Sequence, residues 1–299
     1  WQMDYGSCGT WWNGTNGVQI NDPHSSSTSY GWNDLLNGGN PWSQVSVEYT
    51  SAGSDYVYEN NDGLGTCDWT MSYEYADSAV AYHFFAAGIL DITRYETLRL
   101  SWRITGSSSG TTTTIDRGVD LLVWYEVWNP TGTDITDFQL MVGANPDPDV
   151  AYGGSAATIN DVENSDTTDS YNDWAGTMGA TELTLGFAPC DPSDATIGFS
   201  ANQTDADASF TDPAGANADL SVHFLQEATT IPAGQAVSFG FIVGLGTDDA
   251  WTRDYAVDGA AGRLGFDYCA CDVDEDGFTG GQCGGADCDD NDATVNPGA

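Results

Sequence analysis

Apolar and polar residues alternate with period two in at least five stretches of the chain. Leu98, Leu100, Trp102 and Ile104 interleave with Thr97, Arg99, Ser101 and Arg103. Val119, Leu121, Val123, Tyr125 and Val127 form one face, and Trp124, Glu126 and Trp128 lie on the other. Val45, Val47 and Tyr49 repeat the pattern, as do Leu220, Val222 and Phe224, and Val237, Phe239, Phe241, Val243 and Leu245. Such alternation predicts half-buried strands. N-D-G (61–63), S-S-S-G (107–110), N-P-T-G (129–132) and P-A-G (232–234) between them carry turn chemistry. No dozen residues show a 3.6 period, so no helix is expected. The prediction is an all-β protein: an antiparallel β-sandwich, one large or two stacked, over residues 1–266. A possible internal boundary lies near 107–115. Residues 267–299 form a distinct, short C-terminal segment.

Charge changes the picture. Asp and Glu number 45 against 6 Lys and Arg, a net charge of −39. Such a field opposes nucleic acid and anionic membranes as partners. The excess is Asp rather than Glu, which suits turns and divalent-cation loops better than adaptation to high salt. The 40% hydrophobic and 12% aromatic content is that of a folded chain. No apolar run is long enough to span a bilayer, so no membrane insertion is expected. The sequence opens on Trp1 rather than Met, which predicts that a leader has been removed. The seven cysteines predict an oxidising, extracellular or cell-surface location, with one thiol left over or paired between chains. Asn13-Gly-Thr and Asn202-Gln-Thr fit the glycosylation acceptor pattern.

Chemistry concentrates at the C-terminus. Asp272, Asp274 and Asp276 alternate and are followed at once by Gly277. That spacing turns three carboxylates toward one point, as a hard cation such as Ca²⁺ requires. The twelfth position from Asp272 is Cys283, where an EF-hand would carry a bidentate Glu, so the segment is not an EF-hand. The Phe278 carbonyl and the second cluster, Asp287, Asp289, Asp290 and Asp292, are expected to complete the ligand set. Cys283 and Cys288 are close enough in sequence to be bridged. A second candidate combines Asp147 and Asp149 of N-P-D-P-D-V with Asn160 and Asp161 of T-I-N-D-V.

The run D-V-D-E-D-G-F, then C-G-G-A-D-C-D-D-N-D, then V-N-P-G-A resembles the metal-binding repeat of the MopE type. That repeat is itself similar to thrombospondin type 3 repeats. The resemblance implies a small extracellular calcium module without catalytic activity. More weakly, Val119 to Val142, through W-N-P-T-G-T-D-I-T, and I-P-A-G-Q-A-V-S-F-G-F from Ile231 resemble strands of immunoglobulin-like bacterial surface domains. That likeness implies an extracellular scaffold.

No G-x-S-x-G, H-E-x-x-H or nucleotide loop is present. His83 and His223 each lie on the face opposite the neighbouring apolar stripe, as packed or surface residues do. Trp11, Trp12, Trp32, Trp42 and Trp69 suggest sugar stacking or, more simply, core filling. Arg94, Arg99, Arg103 and Arg117 concentrate the few cations within 24 residues. On so acidic a chain they offer a dock for another copy. The expected function is a non-enzymatic, secreted, calcium-binding structural protein that polymerises with copies of itself into a filament or surface array. The alternatives are a calcium-dependent adhesin or carbohydrate-binding protein and, third, a secreted glycosidase.

Overall fold

The computed structural model describes residues 2–3, 18–21, 32–34, 42–61, 66–69, 72–76, 80–106, 113–146, 158–164, 171–179, 184–200, 210–213, 215–246, 249–261 and 269. In chain order the strands begin with β1 (Gln2–Met3), β2 (Val18–Asn21), β3 (Trp32–Asp34), β4 (Trp42–Ser51), β5 (Ser54–Asn61) and β6 (Thr66–Cys67). Next come β7 (Ser72–Ala76), β8 (Val80–Ala87), β9 (Leu90–Gly106), β10 (Thr113–Trp128), β11 (Ile135–Asn145) and β12 (Thr158–Glu163). The last are β13 (Trp174–Met178), β14 (Thr184–Pro189), β15 (Ala195–Ser200), β16 (Ala216–Ala218), β17 (Ser221–Ile231) and β18 (Ala236–Gly246), followed by helix α1 (Asp249–Ala260).

Two large antiparallel sheets form a sandwich. One has nine strands in the order β16-β12-β13-β14-β18-β10-β9-β8-β7, the other six in the order β15-β17-β11-β4-β5-β6. Strands β1, β2 and β3 make a separate three-stranded sheet. The five alternating stretches read from sequence all contribute to one core. Val45, Val47, Tyr49, Val222 and Phe224 come from the six-stranded sheet; Val119 to Val127 and Phe239 to Leu245 come from the nine-stranded one. Leu98, Leu220 and Val237 pack against its margin. Strands β9 and β10 pair from Gly106↔Thr113 to Asp91↔Trp128. Strands from both sides of 107–115 therefore share the same two large sheets. The 266/267 boundary lies outside the described residues.

Helix α1 departs from the all-strand expectation. Among its described side chains the buried positions are Thr252, Ala256, Val257 and Gly259, a stripe of mostly small residues that does not read as a helix. Small residues suit the outer face of the nine-stranded sheet, where glycines let the helix come close. A Cβ added at Gly244 would lie 3.1 Å from the Ala256 Cβ. Ala256 and Val257 there join Tyr95, Leu122, Trp124, Trp174, Ala188 and Ile242 in a second core. The sheet thus has one face toward the sandwich and one toward the helix.

Two polar links fasten the ends. The Tyr49 hydroxyl donates to Ala87 O (3.1 Å) and accepts from Ile89 N (3.2 Å), tying the β8–β9 turn to β4. Asn129 is fully buried and clamps the opposite turns. Its Nδ2 donates to Thr133 O, Ile231 O and Pro232 O at 2.9–3.2 Å, and its Oδ1 accepts from Thr131 N and Oγ1. The N-P-T-G and P-A-G turns are thereby held together through one side chain.

Trp174 offers a test of the packing on the outer face. It is 2% exposed and lies over Gly176 and Gly186. A Cβ at Gly186 would meet the indole and stand 2.7 Å from Ala175 O. Gly186→Ala is expected to lower unfolding free energy by about 1–3 kcal/mol through overpacking. Urea denaturation followed by tryptophan fluorescence measures it; an unchanged midpoint contradicts this packing.

Candidate functional site

The sequence-derived metal ligands divide sharply by location. Asp272, Asp274, Asp276, Phe278, Asp287, Asp289, Asp290 and Asp292 lie outside the described residues, as do Asp147 and Asp149. Asn160 and Asp161 are neighbours on β12, so strand alternation turns their side chains to opposite faces. Asn160 is buried: its Nδ2 donates to Thr158 O (2.9 Å) and Ala218 O (2.8 Å), and its Oδ1 accepts from Thr158 Oγ1 (3.0 Å). Asp161 is half-buried on the other side. The strand therefore does not bring the two together. Among the described residues no group of three or more His, Cys, Asp or Glu gathers as a metal site.

The root of the aspartate-rich C-terminal segment is described. Cys269 stands three positions before Asp272 and is bonded to Cys190, 79 residues earlier, at the end of β14. The bridge fixes the start of the segment to the rim of the nine-stranded sheet. A loop that long is worth about 4–5 kcal/mol on the chain-entropy model. Cys67 is disulfide-bonded as well. Disulfides form and persist in oxidising compartments. Among the described residues no helix is long and apolar enough to cross a membrane.

The arginine stripe is altered by the fold. Arg94 is 1% exposed and points into the sandwich, not toward solvent. Its Nε lies 3.2 Å from Glu96 Oε1, and His83 Nε2 lies 3.2 Å from Glu96 Oε2. His83 shares the inward face with Phe85, which corrects the outward placement read from sequence. Burial and Arg94 hold the His83 imidazole below its ordinary pKa, against the pull of Glu96. Arg94 and Glu96 interrupt the inward row Leu90, Ile92 and Leu98. That break in the alternation was the signal for a buried ion pair. Arg99 and Arg103 pair in register with Asp120 and Asp116 of β10.

Asp120 itself is 2% exposed on the outer face, between Arg99 and Gly244 in register. Its Oδ2 has no hydrogen-bond partner among the described residues, and burial pushes its pKa up to about 8.

His223 and Ser200 form the arrangement that most resembles a base and a nucleophile. Ser200 Oγ and His223 Nε2 are 2.9 Å apart, and Phe210 stacks on the imidazole at 5.0 Å. The imidazole is fully buried, and burial drives its pKa down to about 3. A base that weak removes a serine proton poorly near neutrality, and no open approach reaches it among the described residues. The pair reads as packing on the outer face of the six-stranded sheet. Trp69 is likewise structural: 6% exposed, it stacks on Phe85 at 5.0 Å, and its backbone is held by Asn60. Trp11 and Trp12 lie outside the described residues, and Trp32 and Trp42 are described only in backbone.

No family model matches the chain, and no curated protein matches it. Among solved structures, a polysaccharide lyase aligns over 69% of this chain with 10% identity and a TM-score of 0.39. The aligned region spans 26% of that protein's length. A likeness so low says nothing about shared chemistry.

Asp120 gives the pH test. Its folded pKa of about 8 lies above the ordinary value of 3.8, so the folded state holds a proton that the unfolded state has released across that window. Its contribution to stability therefore falls as pH rises between those values and levels off above them. The slope is at most about 1.4 kcal/mol per pH unit. Asp120→Asn should be increasingly more stable than wild type as pH rises through that window. Parallel pH–stability curves for the two proteins would contradict it.

Proposed function

We propose that the chain is a secreted, calcium-binding structural protein whose copies assemble into a homopolymeric filament or surface array. The observation that carries this reading is the alternating run Asp272, Asp274, Asp276 and Gly277, closed by Asp287, Asp289, Asp290 and Asp292. Ca²⁺ is the ion that this oxygen-only donor set suits. The Cys190–Cys269 bridge adds support, because it ties the root of that run to the end of β14, an inner strand of the nine-stranded sheet. A net charge of −39 gives divalent cations a second role, as counter-charges between acidic surfaces. The sandwich serves as scaffold and performs no chemistry.

Calcium should stabilise the full chain. Extracellular modules bind at about 10⁻⁴–10⁻³ M, so about 10 mM Ca²⁺ adds roughly 1.4–2.7 kcal/mol by mass action. That corresponds to a rise in Tm of about 2–4 °C for a chain of this size. Calorimetry at fixed ionic strength, with chelator and then with calcium, measures it. An unchanged Tm removes calcium; rescue by monovalent salt alone points to salt adaptation instead.

Assembly has its own test. With Arg94 buried, the docking cations reduce to Arg99, Arg103 and Arg117. Charge reversal at Arg99 or Arg103 would set like charges across from Asp120 or Asp116 within one copy, so neutral substitutions are cleaner. Arg99→Gln with Arg103→Gln should leave the monomer folded and abolish the polymers that wild type forms with calcium. Electron microscopy and sedimentation report this. Normal polymers from the double variant remove the stripe as the dock. Wild-type protein that stays monomeric with calcium favours the adhesin reading.

A further inference from the structure

Strand β14 pairs with β18 only as far as Pro189↔Phe241, and Cys190 N donating to Gly240 O is the last link. The chain then leaves the nine-stranded sheet and enters the other as β15, where Ala195 pairs with Gln226 of β17. The gap that this crossing leaves beside the start of β18 is a cavity of about 640 Å³. That is within the range of small-ligand sites, about 300–1,000 Å³.

The crossing segment is tightly organised. Asp191 Oδ1 accepts from Ser193 N (2.8 Å) and Ser193 Oγ (2.6 Å), and Gln226 Nε2 donates to Asp194 O (3.0 Å). Pro232 and Gln235, in the turn that Asn129 clamps, form the opposite wall. The cavity is therefore bounded by held turns.

We propose that this cavity binds a neutral saccharide. Its walls carry the carboxylates of Asp191 and Asp194, the carboxamides of Gln226 and Gln235, and the hydroxyls of Thr229 and Ser238. These are the acceptors and donors that sugar hydroxyls match, and the walls hold no lysine or arginine among the described residues. Trp124 also lines the cavity, and its indole Nε1 is buried without a hydrogen-bond partner among the described residues. Burial normally satisfies that donor. Next along the sheet, Trp128 pairs across the strands with Ala236 of the wall and is 39% exposed. An indole open to solvent beside such a wall is a platform for the apolar face of a pyranose ring. Anionic ligands are opposed by the two carboxylates and by the chain's net charge of −39. A cation would gain little from carboxylates as exposed as these. The neutral polyol remains. Cys190 and Cys269, whose bridge roots the C-terminal segment, also line the cavity.

The test uses the full chain and hexasaccharides of β-1,4-glucan, α-1,4-glucan, β-1,4-xylan and β-1,4-mannan, with oligogalacturonate as the anionic control. Titration calorimetry is read with and without calcium. At least one neutral glycan should bind at millimolar concentration or better and shift tryptophan emission, and oligogalacturonate should not bind. Trp128→Ala and Asp194→Ala should each weaken the interaction about tenfold or more. Hydrogen exchange on wild-type protein should show protection at 190–194 and 232–240, which tests the site even if a variant unfolds. No binding by any of the four neutral glycans, undiminished affinity in both variants, or protection confined elsewhere overturns the proposal.

Discussion

Everything in this fold depends on β10 being covered on both faces. Its inward row, Val119 to Val127, fills the sandwich, and its outward residues Leu122 and Trp124 lie in the core beneath α1. A strand buried twice cannot slip by one residue without exchanging those two rows. Pairing with β9 and β18 over its length therefore fixes the register of the central strands together. The helix, the glycine strip on β18 and the buried Asp120 are consequences of covering that second face. A sheet open to water there would need neither small residues on the helix nor a carboxyl that holds its proton.

The distribution of charge obeys the same constraint. The chain carries 45 acidic residues against six basic ones, yet one of the six, Arg94, is committed to the interior. A buried Arg–Glu pair gains little over apolar packing, but losing one partner costs about 3–5 kcal/mol. Arg253 is spent similarly, joining α1 to β12 through Glu163 at 2.5 Å. Few cations are left to offset the acidic side chains from within the chain.

Much of the core was legible because period-two alternation encodes burial directly. Val45, Phe224 and Phe241 all lie where their parity put them. The turns were legible as Gly, Pro and Asn clusters. Their association was not, because Asn129 reaches a carbonyl 102 residues away and nothing local encodes that reach. Helix α1 was hidden by the smallness of its buried residues. The Cys190–Cys269 pairing was hidden because spacing does not specify connectivity. His83 was misplaced because its strand has bulky residues at both parities, Tyr82 and Phe84 against His83 and Phe85. The aspartate run at the C-terminus was the reverse case. Its pattern is local, so a ligand set was proposed from spacing alone, and its geometry lies outside the described residues.

The bond between Cys190 and Cys269 also closes the chain on itself. The residues between them, which include β15 to β18 and α1, form a covalent ring. A single proteolytic cut anywhere in that ring would leave both products joined. The C-terminal segment beyond Cys269 would stay tethered to the sheet rim by sulfur, even with the main chain severed. Under oxidising conditions one scission inside the ring would therefore release nothing, and reduction as well as cleavage would be needed to shed that segment.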